Sequence, residues 1–290
     1  MNATCPDAED AEAVCATRMR STAATVLENE RVRGGCHRLV VAVDGGWPET
    51  GPGQFAMLSL DHPRFPILPR PFSLLGWQRR PAHDELEWLV MPVGVGTALL
   101  CSLRPGEALN AVGPLGGRLD SELPAGHLVC VAGGYGMAPF QFLLDAWNRS
   151  GDVRVRQTTV IYGARTAERL SLSERLAATG AQLELCTDDG TRGFHGRVDA
   201  RLSRLIAERP AAMVLTCGPE PMMEAVGRVC GLAGVPARAS LETVMGCGYA
   251  VCNGCAVAVA DSGQPDGYTY NLACREGTVF DTARLRWHQP

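Results

Sequence analysis

Several features of basic, secreted or membrane-spanning proteins are missing from this sequence of 290 residues. It has no lysine, so arginine supplies all 27 basic residues, and 31 acidic residues leave a net charge of -4. This mild net acidity argues against a general nucleic-acid-binding protein, which would carry a basic stripe. No uninterrupted apolar run approaches the length of about 18 residues that indicates a membrane span. The first twenty residues are acidic and contain no apolar secretion segment, so we expect a cytoplasmic protein.

Cysteine, in contrast, is abundant, with 12 residues in the chain. Clustered cysteines in a cytoplasmic protein more often bind metals or take part in catalysis than form disulfides. Cys247, Cys252 and Cys255 have the spacing C-x4-C-x2-C, and Cys274 follows further along the chain. This is the plant-type ferredoxin spacing of a [2Fe–2S] cluster, in which a tight loop supplies three thiolates and a distant segment the fourth.

Glycines in the cysteine loop support the same interpretation. Gly246, Gly248 and Gly254 allow the backbone to curl close to the sulfurs and to direct N–H groups at them. Structural zinc sites usually have two C-x2-C pairs, whereas this chain has one. A zinc site and disulfides are the alternatives to the predicted iron–sulfur cluster.

The residue pattern divides the chain into four parts. Residues 1–20 are predicted to be a disordered extension. Short apolar runs separated by turn residues predict an antiparallel β-barrel over 21–122. Strands alternating with helices predict a parallel-sheet α/β domain over 123–235. A Gly- and Cys-rich subdomain follows over 236–290.

The elements predicted within these parts are short. The barrel strands are expected at 22–27, 36–43, 54–60, 86–92 and 108–112, with a short helix at 97–102. The strands of the parallel sheet are expected at 127–131, 158–162, 182–186 and 213–217, and its helices at 138–147, 171–179, 199–208 and 221–232.

Glycines mark two strand ends in the α/β part. One set lies between a predicted buried strand and a helix with Pro139 in its first turn, and the other ends a later strand. Such glycines let the backbone approach a pyrophosphate, and the helix N-terminus offers N–H donors. Both ends share the carboxyl edge of the sheet, so they predict a nucleotide site. Its candidate residues are Gly133, Gly134, Tyr135, Gly136, Cys217, Gly218 and Pro219.

Two segments of the barrel part also suit a phosphate-bearing cofactor. Arg70 can hold a diphosphate and Ser73 can bond to a polar ring edge, within the segment Arg-Pro-Phe-Ser. Gly96 and Thr97 head the predicted short helix, where N–H groups and the hydroxyl can hold phosphate. An arginine ion pair and an ordinary capped helix are the alternatives.

Taken in order, these motifs resemble the electron-transfer subunit of class 1B dihydroorotate dehydrogenase, a branch of the ferredoxin reductase family. The resemblance covers residues 20–290 and implies FAD in the barrel, NAD(H) at the glycine-bearing strand ends and a [2Fe–2S] cluster on the four cysteines. The flavin-site residues it implies are Arg70, Pro71, Phe72, Ser73, Leu89, Val90, Met91, Gly96 and Thr97. The family often has Tyr and Arg where this chain has Val90 and Met91, which removes a phosphate contact.

The cofactors together predict an NAD(P)H-linked oxidoreductase subunit. Nicotinamide exchanges two electrons as a hydride and an iron–sulfur cluster takes one, so FAD is expected between them. No side chain is predicted to act as a general acid or base, so no catalytic residue is assigned. Arg165 follows a predicted strand, where an arginine can contact the 2′-phosphate of NADPH or simply lie on the surface. The sequence therefore does not decide between NADH and NADPH.

No part of the chain remains for an organic substrate, so a partner flavoprotein is expected. The resemblance implies an FMN-containing (β/α)8 catalytic subunit in a heterotetramer that serves pyrimidine biosynthesis. The alternative is a reductase component that feeds another acceptor, such as an oxygenase or a specialised-pathway flavoenzyme. A cluster-based redox sensor is disfavoured because we find no basic recognition segment.

Overall fold

A computed structural model of the chain describes residues 19–287, so Cys5, Cys15 and almost all of the predicted extension over 1–20 lie outside the described residues. The first part is a closed six-stranded antiparallel barrel with the strand order β1-β2-β5-β4-β3-β6. Its strands are β1 (Arg20–Arg31), β2 (His37–Asp44), β3 (Phe55–Ser59), β4 (Arg70–Arg79), β5 (His83–Val90) and β6 (Ala108–Leu115). The barrel therefore confirms the predicted fold class, and β4 is the strand that the sequence pattern did not define.

Alternating side chains fill the barrel core, as expected for strands with one face inward. Leu86 and Trp88 of β5 are fully buried there, together with Trp47 from the segment between β2 and β3. One helix, α1 (Val95–Ser102), follows β5 where a short helix was predicted.

The second part is a seven-stranded, mostly parallel sheet with the order β10-β9-β8-β7-β11-β12-β15. Its strands are β7 (Leu128–Gly133), β8 (Thr158–Ala164), β9 (Gln182–Thr187), β10 (Phe194–His195), β11 (Met213–Cys217), β12 (Ala237–Ser240) and β15 (Val279–Asp281). The helices are α2 (Ala138–Ser150), α3 (Ser173–Ala177), α4 (Val198–Glu208) and α5 (Glu220–Ala233).

The sheet continues past residue 235, where the sequence pattern places a boundary. Strand β12 runs parallel to β11, and β15 pairs antiparallel with β12 at the sheet edge. Between them lie the cysteine loop and a separate hairpin of β13 (Ala256–Ala260) and β14 (Tyr268–Leu272). The cysteine-bearing segment is therefore anchored to the sheet at both ends.

Helix α2 fastens the barrel to the sheet. Its Phe142 is buried among barrel core residues although it belongs to the α/β part. Beside it, Arg175 of α3 donates to both carboxylate oxygens of Glu87 at 2.6 and 2.9 Å and to Asp145 at 2.8 Å. Arg38 of β2 also pairs with Glu87. We call these four charged residues the ionic cluster.

Within residues 19–287, no helix is both long and apolar enough to cross a membrane.

Candidate functional site

A cavity of about 270 Å³, which we call the barrel cavity, lies where the barrel meets the sheet. Its walls come from the barrel, from the turn after β7 and from the segment after β12. Seven of the predicted flavin-site residues line it, namely Arg70, Pro71, Phe72, Ser73, Leu89, Met91 and Thr97. A mostly apolar lining with a few polar groups suits an aromatic cofactor ring.

Two polar groups of the barrel cavity have no side-chain partner in the part of the chain that the structure describes. Among residues 19–287, neither the Arg70 guanidinium nor the Ser73 hydroxyl makes a side-chain hydrogen bond or an ion pair. A guanidinium can form a paired, charge-assisted contact with phosphate, and a free hydroxyl can bond to a ring nitrogen or oxygen. This arrangement fits the diphosphate and the ring of FAD, and the alternative of an Arg70 ion pair is not what the described residues form.

Two other predicted flavin-site residues do not line the cavity. Val90 is buried in the barrel core because neighbouring side chains on β5 alternate between faces, which leaves Leu89 on the cavity side. Gly96 is buried against Pro66, and a Cβ at this position would come within 3.2 Å of the proline ring. These residues can contact a cofactor only through their backbone.

Thr97 lines the cavity, but its hydroxyl is already used. It accepts hydrogen bonds from the backbone N–H groups of Val93 and Gly94, at 2.9 and 3.0 Å, and so caps the start of α1. The capped-helix alternative from the sequence therefore describes Thr97 in this structure.

A second cavity of about 570 Å³, which we call the nucleotide cavity, opens at the carboxyl edge of the sheet. Gly133, Gly134, Tyr135 and Pro219 line it, as the predicted nucleotide site requires. Backbone N–H groups near the start of α2 lie at the same edge, where parallel-sheet folds bind nucleotides.

The remaining glycines predicted for this site serve packing. A Cβ on Gly136 would lie 2.4 Å from the carbonyl oxygen of Cys217, and a Cβ on Gly218 would lie 3.0 Å from the Cα of Gly133. The ends of β7 and β11 touch here, so only glycine allows this close approach. Cys217 is buried beside them, and burial raises the pKa of its thiol well above the usual range.

Charged residues that the sequence did not single out also line the nucleotide cavity, namely Arg169, Asp188, Arg197 and Asp199. Arg197 donates to Asp199 at 3.1 Å. Arg165 lines the cavity too, is exposed, and forms no ion pair with another residue in 19–287. The cavity thus offers carboxylates for a ribose hydroxyl and an arginine for a phosphate.

Two of the four predicted cluster ligands, Cys255 and Cys274, belong to the same buried cluster as Met245, which lines the barrel cavity. The Cys255 and Cys274 sulfurs are 3.1 Å apart and buried, while Cys247 is half-buried and Cys252 is exposed. All four are free thiols rather than disulfides. Within the described part of the chain, no three His, Cys, Asp or Glu side chains are grouped closely enough to hold a metal ion. The assignment of all four as ligands therefore stays a prediction.

Backbone N–H groups already point at these sulfurs. Ala250 donates to the Cys274 sulfur at 3.1 Å, Val251 to the Cys247 sulfur at 3.4 Å, and Gly254 to the Cys252 sulfur at 3.4 Å. An all-thiolate donor set surrounded by N–H donors fits an iron–sulfur cluster.

The shape of the loop follows from residues in unusual conformations. Gly248 has φ of 85°, and a Cβ there would lie 2.4 Å from the Met57 side chain. Ala250 and Asn253 also have positive φ values, 61° and 55°. Such conformations are strained for residues with a side chain and are common at ligand-binding loops.

Electrostatics favour a thiolate at Cys247. Partial burial raises its pKa, but N–H groups of Cys252, Tyr249 and Val251 outweigh that effect and lower it to about 7. The loop thus stabilises a negative sulfur, which is the form that binds metals.

The two cavities and the cysteine loop form a continuous series. Met91 and Tyr135 line both the nucleotide cavity and the barrel cavity. Met245 lines the barrel cavity and packs with Cys255 and Cys274 in one buried cluster. The barrel cavity therefore adjoins both the nucleotide cavity and the cysteine-bearing cluster.

The segment after β12 supplies four barrel-cavity residues that sequence reasoning missed, namely Leu241, Glu242, Thr243 and Met245, and Thr278 just before β15 is a fifth. Burial raises the pKa of the Glu242 carboxyl. The sequence assigned none of these residues to the cofactor site, because their place in the cavity depends on strands β12 and β15, which were not predicted.

Comparison with known families identifies two matching regions. Residues 130–228 match the oxidoreductase NAD-binding domain, and residues 242–286 match the iron–sulfur cluster binding domain of dihydroorotate dehydrogenase B. These regions contain the predicted nucleotide-site residues and the four predicted cluster ligands, respectively.

Similar proteins share most of the length of the chain. It is 34% identical over 236 residues to a dihydroorotate dehydrogenase B (NAD(+)) electron transfer subunit of Desulforamulus reducens, covering 81% of this chain and 87% of that protein. It is 29% identical to the corresponding subunit of Caldanaerobacter subterraneus, covering 89% and 95%.

Solved structures show the same fold. The structure of an NADH-dependent reduced ferredoxin-NADP oxidoreductase, described in the context of flavin-based electron bifurcation, aligns with a TM-score of 0.74 at 25% identity. The alignment covers 91% of this chain and 90% of that one. A ferredoxin NADP+ reductase from Neisseria gonorrhoeae with bound FAD and NADP aligns with a TM-score of 0.62 at 18% identity, covering 74% and 92%.

Proposed function

Because the chain belongs to the family of the electron transfer subunits of dihydroorotate dehydrogenase B, we propose that it moves electrons between NAD(H) and a partner enzyme through FAD and a [2Fe–2S] cluster. The observation that carries this proposal is that the barrel cavity adjoins both of the other sites. The barrel cavity shares Met91 and Tyr135 with the nucleotide cavity and shares Met245 with the cysteine segment. The functional parts would be 21–122 for FAD, 123–235 for NAD(H) and 236–290 for the cluster.

Bound FAD supplies exchange of a hydride with nicotinamide and of single electrons with an iron–sulfur cluster. The protein provides binding and orientation. Arg70 would hold the diphosphate and Ser73 a polar edge of the ring, because both groups are unpaired among residues 19–287. The N–H groups directed at the cysteine sulfurs would stabilise negative charge on the cluster and so set its reduction potential.

The partner would dock around Cys252, the exposed cysteine of the loop. Its surroundings are unusually apolar for a surface, because Val244, Tyr249 and Val251 are exposed large side chains in the same segment. Leu68 is also exposed and lies within 3.8 Å of a Cβ placed on Gly246. Exposed apolar patches of this kind are typical of protein–protein contacts.

For the partner we propose an FMN-containing dihydroorotate dehydrogenase-type catalytic subunit, assembled with this chain as a heterotetramer in the cytoplasm. Electrons would then run from dihydroorotate through FMN, cluster and FAD to NAD+.

Anaerobic spectroscopy of the purified protein tests the cofactors. We expect flavin and iron–sulfur absorbance, both bleached by NADH. A colourless protein that contains one zinc ion per chain would contradict the proposal.

Co-purification from the source cells tests the partner. Recovery of an FMN-containing subunit with the chain would support the proposed assembly. Recovery of an oxygenase component instead would establish the alternative of a reductase with another acceptor.

A further inference from the structure

Two arginines on the loop after β8 lie beside the nucleotide cavity without a partner. Arg165 directly follows the strand, and Arg169 ends the short 3-10 turn that comes next. Both are exposed, and both line the cavity. In the described part of the chain, neither guanidinium donates a hydrogen bond or forms an ion pair. Two unpaired guanidinium groups at one cavity favour an anionic ligand group.

The loop that carries these arginines is held in place by its backbone and by its neighbours. Asp189 donates its N–H to the carbonyl of Arg165 at 3.2 Å. Leu170, which follows the second arginine, is fully buried, and the Ser171 hydroxyl donates to the carbonyl of Arg33 in the barrel part at 2.8 Å. The loop is therefore ordered before a ligand binds, which lowers the entropy cost of binding.

The charges that line the nucleotide cavity do not balance. They belong to three arginines and two aspartates, namely Arg165, Arg169, Arg197, Asp188 and Asp199. Arg197 and Asp199 pair with each other at 3.1 Å, which leaves two positive charges against the one negative charge of Asp188. The cavity thus has a positive surplus for an anion, and it keeps a carboxylate for a ribose hydroxyl.

The position of Arg165 in the sheet indicates which anion it meets. Strand β8 lies beside β7, and Gly163 stands opposite Gly133 at the glycine turn. In nucleotide-binding sheets the pyrophosphate lies at such a turn, and the adenosine ribose lies beyond the end of the next strand. An acidic residue there bonds to the free 2′-hydroxyl of NAD, whereas an arginine accommodates the 2′-phosphate of NADP. This chain has an arginine there.

From this placement, and resting on the proposed function, we propose that the nucleotide cavity binds NADP(H) in preference to NAD(H). Arg165 and Arg169 bind the 2′-phosphate, and the backbone at the glycine turn binds the pyrophosphate that both nucleotides share. NAD(H) still binds, with lower affinity, because it lacks only that one phosphate group. The two arginines thus determine the specificity of the site.

Titration calorimetry with NADP+ and NAD+ tests the preference on the FAD- and cluster-loaded protein, because the two ligands differ only in the 2′-phosphate. The variants are Arg165→Gln and Arg169→Gln, each of which removes one charge and keeps a long polar side chain. Arg228→Gln on α5 is the matched control, because Arg228 is also exposed and lines neither cavity.

The original protein is expected to bind NADP+ at least about tenfold more tightly than NAD+, because the 2′-phosphate adds charge-assisted hydrogen bonds. Arg165→Gln and Arg169→Gln should each weaken NADP+ binding about tenfold, with little change for NAD+. The Arg228→Gln protein binds both nucleotides as the original protein does. All three arginines are exposed, so the variants are expected to fold, and circular dichroism checks this.

Two results would overturn the preference while leaving the nucleotide site intact. One is NAD+ binding by the original protein that is as tight as NADP+ binding or tighter. The other is an equal loss, or none, for both nucleotides in the Arg165 and Arg169 variants. If the original protein binds neither nucleotide, the proposed function fails, and the preference fails with it.

Discussion

Cys252 differs from the other predicted cluster ligands because its side chain is exposed. Its sulfur accepts a hydrogen bond from Gly254 and lies 3.3 Å from the position of a Cβ on Gly246. The residue can therefore be replaced without disturbing a packed core, whereas Cys255 and Cys274 are buried. This makes Cys252 the best single position at which to separate cluster binding from folding.

Replacement of Cys252 by Ser is expected to lower the cluster content of the purified protein about tenfold or more. The loss of a direct ligand costs more cluster affinity than the loss of a residue that only hydrogen-bonds to a ligand. Reduction of FAD by NADH should be retained. Visible absorbance and electron paramagnetic resonance measure the first effect, and anaerobic flavin bleaching measures the second. The control is Cys186→Ser, which lies in β9 and outside the cysteine loop, and this variant should keep its cluster. Full cluster content in the Cys252→Ser variant would contradict the assignment of Cys252 as a ligand.

His127 is a residue whose protonation matters for stability. It is buried, its Nε2 lies 2.9 Å from the Thr159 hydroxyl, and its Nδ1 lies 3.3 Å from the carbonyl oxygen of Pro210. Burial, together with the nearby Arg209 charge, lowers its pKa below the ordinary value of 6.5. The folded state therefore favours the neutral ring.

A neutral ring in the folded state gives a defined pH dependence. The contribution of His127 to stability is fully present above its unfolded pKa, is lost as the pH falls below about 6.5, and levels off below the lowered folded pKa. Urea unfolding should give a lower free energy of unfolding at about pH 5.5 than at about pH 7.5. A His127→Gln variant should show a smaller difference, and an identical difference would contradict the prediction.

At the scale of single residues, cysteine spacing and side-chain chemistry predicted part of the candidate site. Arg70, Ser73 and the cysteines were found because their residue types are tied to a ligand. Thr97 and Gly136 were assigned to ligand binding, but their structural roles, a helix cap and a close strand contact, depend on neighbours that a sequence does not display.

The ionic cluster is the main polar link between elements of the two parts. Glu87 of β5 is shared by Arg38 of β2 and by Arg175 of α3, and Asp145 of α2 completes the group. Burial raises the pKa of Glu87, but the two arginines outweigh this effect and lower it. Loss of this one carboxylate would leave two arginines without their common partner.

Replacement of Glu87 by Gln is expected to lower the free energy of unfolding by about 2 kcal/mol, because charge-assisted hydrogen bonds are lost while Arg175 keeps Asp145 and Arg38 keeps Glu28. The control on the same strand is Glu85→Gln, whose pair with Arg80 is more exposed and should cost less than about 1 kcal/mol. Chemical denaturation measures both, and equal effects of the two substitutions would contradict a special role for the cluster.

The prediction of helices and strands succeeded where the apolar periodicity extends over many residues, and it failed where the periodicity is short or interrupted. Helices α4 and α5 follow their apolar periodicity. The helix expected over 171–179 is only Ser173–Ala177, because Leu172 adopts a left-handed conformation with φ of 53°. Strand β12 has four residues and forms by pairing with β11, a tertiary effect that no local pattern indicates.

For the whole molecule, the central feature is that the barrel cavity adjoins both of the other sites. The fold class was predictable, because a change from short strands to alternating strands and helices marks the two main parts. The continuation of the sheet beyond residue 235 was not predictable, since β15 joins it from far along the chain.

An electron path through the flavin predicts how the protein behaves without FAD. When FAD is removed by gentle salt treatment, NADH should no longer reduce the iron–sulfur cluster, because no other two-electron acceptor lies between them. Dithionite should still reduce the cluster, and added FAD should restore reduction by NADH. Anaerobic absorbance of the cluster measures each step; cluster reduction by NADH at an undiminished rate in the FAD-free protein would contradict this path.

The pairing of β12 with β15 has a further meaning for how such a chain can change in evolution. Ser240 lies opposite Val279, so everything between them leaves the sheet and returns to the adjacent position. In topological terms the cysteine segment is an insertion in a hairpin, and a tight turn can replace it without rethreading another strand. Because this segment also supplies Leu241, Met245 and Thr278 to the wall of the barrel cavity, its deletion would reshape that cavity as well as remove the cysteines.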